Sequence, residues 1–299
     1  MDGANAASAA STKRPSSLTR RILSVIVLIP LIVAAGWWAW ATVLVVALCV
    51  ALGIHELFGI MRQGAFTPRL GPGLAVGLSL VAAVALRPFS PFDLVGLCLA
   101  LSLILTLTYE LWPGDRSTSL QSWALTVTGA LYVSWLLSSF IMLRQLSLPL
   151  HEGWLEFLAI PAGARWVFLA LAITWLQDTA AFFVGRAFGR QRMAPVLSPK
   201  KTWEGVVGGW LISIVTAIIA VPLLGLPLSY LAAGIIGAIA GIVGPLGDLS
   251  ASLIKRQIGV KDSGQLIPGH GGILDRMDSL LFVGPVVYYG VLLVAGGGA

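Results

Sequence analysis

Charge is scarce in this chain. Asp, Glu, Lys and Arg make up 11% of its 299 residues, where a soluble domain carries about 25%. With 57% of residues hydrophobic and a mean hydropathy of +0.90, long segments have no polar face to turn toward water. That excludes a soluble globular core and implies an integral membrane protein. Cysteine is nearly absent as well. Cys49 and Cys98 both fall inside apolar runs, which excludes a disulfide framework and any zinc-binding spacing. The net charge of +6 arises from short basic clusters between apolar runs, not from a continuous basic face, so nucleic acid is not an expected partner.

What the chain does have is apolar runs of membrane-crossing length, about 20 residues for a helix. Nine such spans can be drawn, at about 22–38, 41–60, 71–87, 92–110, 122–142, 165–184, 204–222, 228–247 and 278–296. The expected fold is therefore all-α, a polytopic integral membrane protein of about nine transmembrane helices. The patch Gly36-Trp37-Trp38-Ala39-Trp40 separates the first two spans and suits an interfacial turn, where Trp prefers to sit. Residues 1–21 are polar, Ala/Ser-rich and aperiodic, and read as a disordered basic tail. Ala39-Trp40-Ala41 resembles a signal-cleavage site, but with further spans following, 22–35 serves equally well as a first anchor. Residues 22–160 would be N-terminal transmembrane helices and 161–299 a C-terminal transmembrane catalytic region.

Alternating nine spans from a cytoplasmic N-terminus leaves only Arg87, Arg144 and Arg165, of 19 basic residues, on the far side. The positive-inside rule thus orients the chain with its N-terminus in the cytoplasm and its C-terminus on the far side. The membrane would be a plasma or inner membrane if the source is bacterial. On that topology the scarce charge gathers at the cytoplasmic face. Asp275 and Asp278 are spaced i, i+3 and share one helical face. Two carboxylates that close repel unless a cation sits between them, and a divalent metal such as Mg2+ favours a few carboxylates with phosphate oxygens. On spacing alone they read equally well as two solvated interfacial aspartates. Asp248, ending the eighth span at the same depth, favours the metal: three carboxylates, Asp248, Asp275 and Asp278, form the expected metal site. Asp178 lies near that depth in the sixth span and is a fourth candidate, or a buried aspartate bonded to a threonine or to backbone, or paired with a neighbouring arginine.

Cations surround these carboxylates: Lys255, Arg256, Lys261 and Arg276, with Lys200 and Lys201 in Ser198-Pro199-Lys200-Lys201-Thr202-Trp203-Glu204-Gly205. There Thr202 suits a helix N-cap and Glu204 the first turn. A helix start beside lysines is an anion site, although any cytoplasmic loop shows basic residues. Gly269-His270-Gly271-Gly272 lets backbone approach a ligand closely, without the spacing of a P-loop. His270 could bind phosphate, orient a metal ligand or bond to backbone. His55-Glu56 is an intramembrane polar pair with no partner evident in the sequence, read as structural. Carboxylates, encircling cations and a glycine loop describe a polyphosphate site for phosphoryl-type transfer, and its position at the membrane boundary suggests a lipid as second substrate.

Ser252-x-Ile254-Lys255-Arg256, four residues, Lys261-Asp262-x-Gly264, then Ile267-Pro268-x-His270-Gly271-Gly272-Ile273-x-Asp275-Arg276-Met277-Asp278 resembles the full signature of the phosphatidate cytidylyltransferases. Asp178-Thr179-x-Ala181 with Ser198-Pro199-Lys200-Lys201-Thr202-x-Glu204-Gly205 is similar to a second region of that family, while residues 1–160 match only as apolar spans. One departure stands out. The family usually has Asp-Thr-Gly-Ala-Tyr where this chain has Asp178-Thr179-Ala180-Ala181-Phe182, which removes a phenol and its hydrogen bond. The resemblance implies the reaction CTP + phosphatidic acid → CDP-diacylglycerol + pyrophosphate, dependent on Mg2+, with a second cation such as K+ sharing the carboxylates. It implies catalytic roles for Lys255, Arg256, Lys261, Asp262, His270 and Arg276. Substrate contacts would come from Asp178, Ser198, Lys200, Lys201, Thr202, Glu204, Gly271 and Gly272. A homodimer is left open. The alternatives are a cation-coupled secondary transporter and another Mg2+-dependent lipid transferase.

Overall fold

A computed structural model describes residues 33–112, 117–264 and 271–296. Within them the chain forms eight long helices and one small hairpin. The helices are α1 (Ala39–Gln63), α2 (Leu70–Leu86), α3 (Leu94–Tyr109), α4 (Ser119–Gln145), α5 (Ala162–Phe188), α6 (Trp203–Leu224), α7 (Tyr230–Ile258) and α8 (Leu274–Gly296). The hairpin pairs β1 (Arg192–Ala194) with β2 (Ser198–Thr202) antiparallel, Arg192 opposite Thr202 and Ala194 opposite Ser198. Seven helices are long and apolar enough to cross a membrane, and α3, with 16 residues, is a shorter apolar helix. The protein is a mostly helical, polytopic membrane protein. The expected basic tail, and all of the first expected span except 33–38, lie outside the described residues. Residues 33–37 are helical, the chain bends at Trp38 within the aromatic patch, and α1 starts at Ala39.

The sequence contained no expectation of the hairpin. The chain leaves α5 at Gly189, turns at residues 195–197 where Pro195 cannot continue a helix or donate to the ladder, and β2 then runs straight into the α6 N-cap. The apolar-run ruler also ended the eighth span too early. Helix α7 continues through Asp248 to Ile258, about 15 Å further, because its backbone hydrogen bonds do not depend on side-chain polarity. Asp248 is therefore inside a helix and not at its end. Asp248, Ser252 and Lys255 follow at i, i+4 and i+7 and share one face.

Packing in a membrane relies on small residues and hydroxyls more than on hydrophobic burial. Helices α6 and α7 approach closely where Gly237 and Gly241 face Ser213 and Trp210. The Ser213 hydroxyl donates to Gly237 O (2.8 Å) and the Trp210 indole to Ala238 O (3.0 Å). Pro245 interrupts α7 and cannot donate to the carbonyl four residues earlier. The buried Gln177 side chain of α5 supplies the missing donor, Nε2 to Gly241 O at 2.7 Å. Helix α8 packs against α1, α4, α5 and α7, so it joins the N-terminal and C-terminal helices into one bundle.

The two ends of the bundle differ. One collects the end of α1, the start of α2, the end of α3 and the start of α4, where Arg69 pairs with Glu110 and Thr67 bonds Ser122. The end of α7 lies there too, since Gly64 after α1 faces Ile258. The opposite end holds the close of α4 and α6. There Arg144 donates to Gly36 O and Trp37 O, and buried Arg165 donates to Leu224 O and pairs with Glu156.

Candidate active site

The end where α1 closes and α2 starts is the basic one, with Arg62, Arg69, Lys200, Lys201, Lys255 and Arg256, and it carries the polar residues that the sequence singled out. Helix α6 starts where β2 finishes. The Thr202 hydroxyl accepts from Gly205 N at 3.2 Å, which makes it the N-cap. Gly185, Gly189 and Gly205 surround that hydroxyl, and a Cβ on any of them would press against it. Glycines therefore bring the end of α5 and the start of α6 together. Thr202 is buried and committed to the cap, and the Glu204 carboxylate accepts from Gln191 N at 3.2 and 3.3 Å. Both residues, expected to touch substrate, here shape the hairpin. Thr202→Ala should lower stability by about 1 kcal/mol, read as a shifted denaturation midpoint in detergent. Lost turnover at unchanged stability would instead make the hydroxyl a substrate ligand.

Ser198, Lys200 and Lys201 remain on β2. Lys200 is exposed. Lys201 turns inward to α7, pairing with Asp248 Oδ2 at 2.6 Å and donating to Pro245 O at 3.3 Å. Ser252 donates to Asp248 Oδ1 at 3.4 Å. Asp178 of α5, Asp248 of α7 and Asp278 of α8 lie close enough to act on one another electrostatically, with Lys201 beside Asp178 and Lys255 beside Asp278. Helices α5, α7 and α8 and strand β2 thus hold three carboxylates within electrostatic reach of one another and of two ammonium groups.

Asp275 has a different setting from the one expected. Its Oδ1 accepts from Lys255 Nζ at 2.5 Å, and its Oδ2 accepts from Ser263 N at 2.8 Å and Gly272 N at 3.1 Å. An i, i+3 spacing puts two side chains on one helical face, but here the last α7 turn and the segment before α8 claim the first of them. Among the described residues no group of three or more His, Cys, Asp and Glu side chains is drawn together as a metal cage. Gly272, expected to face substrate with its backbone, gives its N–H to Asp275, and Gly271 before it takes φ +80°, a conformation glycine adopts freely.

The outer cations lie at the rim. Arg256 is exposed, donating to Val260 O at 3.1 Å and reaching Leu197 O in the hairpin turn at 3.5 Å. Lys261, Asp262 and Arg276 are exposed. His270 lies outside the described residues. Phe182, which stands where the family pattern has Tyr, is exposed and packs edge-on against Phe183.

Sequence reasoning had no role for Gln177 or Ser263, and no partner for Glu56. Gln177 could have been traced from Pro245, since a helix-interior proline orphans a carbonyl that another side chain must satisfy. Glu56 could have been traced as a carboxylate within a span, where charge persists only if donors are brought to it.

Comparison with known proteins covers almost the whole chain. A family model described as the cytidylyltransferase family matches residues 19–294. The phosphatidate cytidylyltransferase of Synechocystis sp. is 33% identical over 296 residues, 92% of this chain and 97% of that protein. The phosphatidate cytidylyltransferase of Bacillus subtilis is 35% identical over 244 residues, 80% of this chain and 85% of that protein. The uncharacterized protein YnbB of Escherichia coli is 40% identical over 205 residues, 67% of this chain and 64% of that protein. The likeness therefore extends well into the N-terminal helices, where the sequence alone offered only apolar spans.

Proposed function

The chain belongs to the cytidylyltransferase family, and we propose that it is a CTP:phosphatidate cytidylyltransferase, making CDP-diacylglycerol and pyrophosphate for phospholipid synthesis. The observation that carries this reading is the cluster of Asp178, Asp248 and Asp278 with Lys201 and Lys255 at one end of a membrane bundle. An oxygen of the lipid phosphate attacks the α-phosphorus of CTP. The bond from that phosphorus to the bridging oxygen breaks, and pyrophosphate leaves with the electron pair. The attacking phosphate is already ionised, so the protein needs no strong general base. Its work is to position two phosphates and offset their charge.

The residues suit Mg2+. Asp248 and Asp278 offer hard oxygen donors, and Mg2+ takes one or two carboxylates when phosphate oxygens and water complete its shell. With Asp275 counted beside its partner Lys255, four ionised carboxylates against Lys201 and Lys255 leave two negative charges, matching one divalent cation. Asp248 and Asp278 would hold it, and the charge neutralisation it supplies to phosphates when bound suits this transfer. Asp275 serves the site by holding Lys255. A second cation such as K+ would share the carboxylates through Asp178. Ser198, Lys200 and Lys201 meet one substrate phosphate. Arg256, Lys261 and Arg276 meet the triphosphate and the departing pyrophosphate, with Asp262 and Gly271 beside them, and a catalytic role for His270 rests on the family resemblance alone.

The basic end faces the cytoplasm in this reading. It is supported by the excess of Lys and Arg there over the opposite end, which has Arg87, Arg144 and Arg165. That orientation puts the C-terminus on the far side, and a homodimer is compatible with it. A cation-coupled transporter is disfavoured by carboxylates gathered at one end of the bundle. Purified protein in detergent micelles, given radiolabelled CTP and phosphatidic acid, should form lipid-extractable label only with Mg2+. Label that forms equally in chelator, or not at all, would reject the assignment.

A further inference from the structure

Glu56 lies in α1, more than two hundred residues from the segments it touches. Its side chain is buried, and the carboxylate accepts three hydrogen bonds: from Ser263 Oγ at 3.0 Å, Ile273 N at 2.9 Å and Leu274 N at 2.9 Å. The two amides open α8 and have no acceptor within their own helix. A carboxylate there also meets the positive end of the helix dipole. Ser263 gives its hydroxyl to Glu56 and its own N–H to Asp275. Gly264 and Gly272 lie so close to the Glu56 side chain that a Cβ on either would collide with it.

Two carboxylates on different helices therefore fasten the same stretch of backbone. Glu56 takes the Ser263 hydroxyl and the amides of 273 and 274, while Asp275 takes the amides of 263 and 272 together with Lys255. Asp278 follows Leu274 by one helical turn, so whatever fixes the start of α8 along its axis also fixes Asp278 relative to Asp248. We propose that Glu56 is a positioning residue for cytidylyl transfer: from α1 it anchors Ser263 and the first turn of α8, and thereby sets Asp278 against Asp248 of α7. This rests on the reaction proposed above. It also gives the N-terminal helices a part in the chemistry beyond spanning the membrane.

The chemistry of the clamp is specific to a carboxylate. Glutamine keeps one acceptor oxygen but turns an NH2 group toward donors. Aspartate keeps the charge but is one methylene short of three fixed partners. The test is the full chain in detergent, by backbone hydrogen–deuterium exchange and steady-state kinetics on the same preparations. Glu56→Gln should accelerate exchange in 263–275 with the other helices unchanged. It should lower kcat by about 10- to 100-fold, as loss of a partner that orients a metal ligand does, and raise the Mg2+ needed for half-maximal rate, with KM for phosphatidic acid unchanged. Glu56→Asp should be no better. Ser263→Ala, which removes one donor and leaves the carboxylate, should act in the same direction more weakly, and should add little on top of Glu56→Gln. Unchanged kinetics in both variants overturns the proposal. So does exchange raised along the whole chain in Glu56→Gln while Ser263→Ala behaves as wild type, which would mark Glu56 as a fold element only. Should the unmutated protein form no CDP-diacylglycerol while exchange still responds at 263–275, the reaction fails and the clamp stands.

Discussion

Asp278→Asn is expected to cut turnover by about two to three orders of magnitude while the protein stays folded. Asp278 sits in the first turns of α8 and accepts from Ser279 N at 2.8 Å through Oδ1, a bond that the Asn carbonyl can keep. The substitution removes one of three carboxylates that repel one another, so stability should hold or rise. What goes is the negative charge facing Asp248, on which the proposed cation site depends. The measurement pairs lipid-extractable product at saturating Mg2+ with the denaturation midpoint in detergent. Near-wild-type turnover would remove Asp278 from the site, and a loss of stability parallel to the loss of activity would make it a packing residue.

Asp275→Asn separates two readings that the sequence treated as one. Spacing alone made Asp275 and Asp278 equivalent, because i, i+3 defines a shared face and nothing more. Which of them looks toward Asp248 is decided by Lys255, Ser263 and Gly272, whose approach to Asp275 is a tertiary event without local signal. The same holds for Asp248. Hydropathy misreads it as a helix terminus, since the ruler responds to polarity while α7 persists through Asp248, Ser252, Lys255 and Arg256. That continuity puts Asp248 and Lys255 on one rigid face, the one that meets Lys201 and α8.

Much of the bundle was legible for a plain reason. A bilayer forces helices to be long and apolar and to satisfy their own backbone, so α1, α2, α4, α5 and α6 follow the apolar runs within a few residues. The Thr202 cap was legible because capping is local. Legibility stopped where a side chain of one helix completes the backbone of another. Gln177 answers the carbonyl orphaned by Pro245, and Glu56 answers the open amides of α8. Both depend on which helices become neighbours.

Lys255→Met should have the largest effect on stability. Lys255 and Asp275 are each about nine-tenths buried and pair at 2.5 Å. Removing the ammonium leaves a buried carboxylate with only two amide partners, a loss of about 3–5 kcal/mol. Adding Asp275→Leu takes away the stranded charge, and an apolar replacement of a buried pair is often neutral or better. Here recovery should stop short of wild type, because Ser263 N and Gly272 N then lose their acceptor at about 1–3 kcal/mol each. Activity should remain lost in both variants, since Lys255 also stands beside Asp278 and its charge serves the phosphates. Denaturation midpoints of the four proteins in the cycle, with turnover on the same samples, check this. A single variant as stable as wild type would show that the pair is solvated. A double variant regaining turnover along with stability would show that Lys255 acts through the fold alone, and its charge would leave the catalytic set.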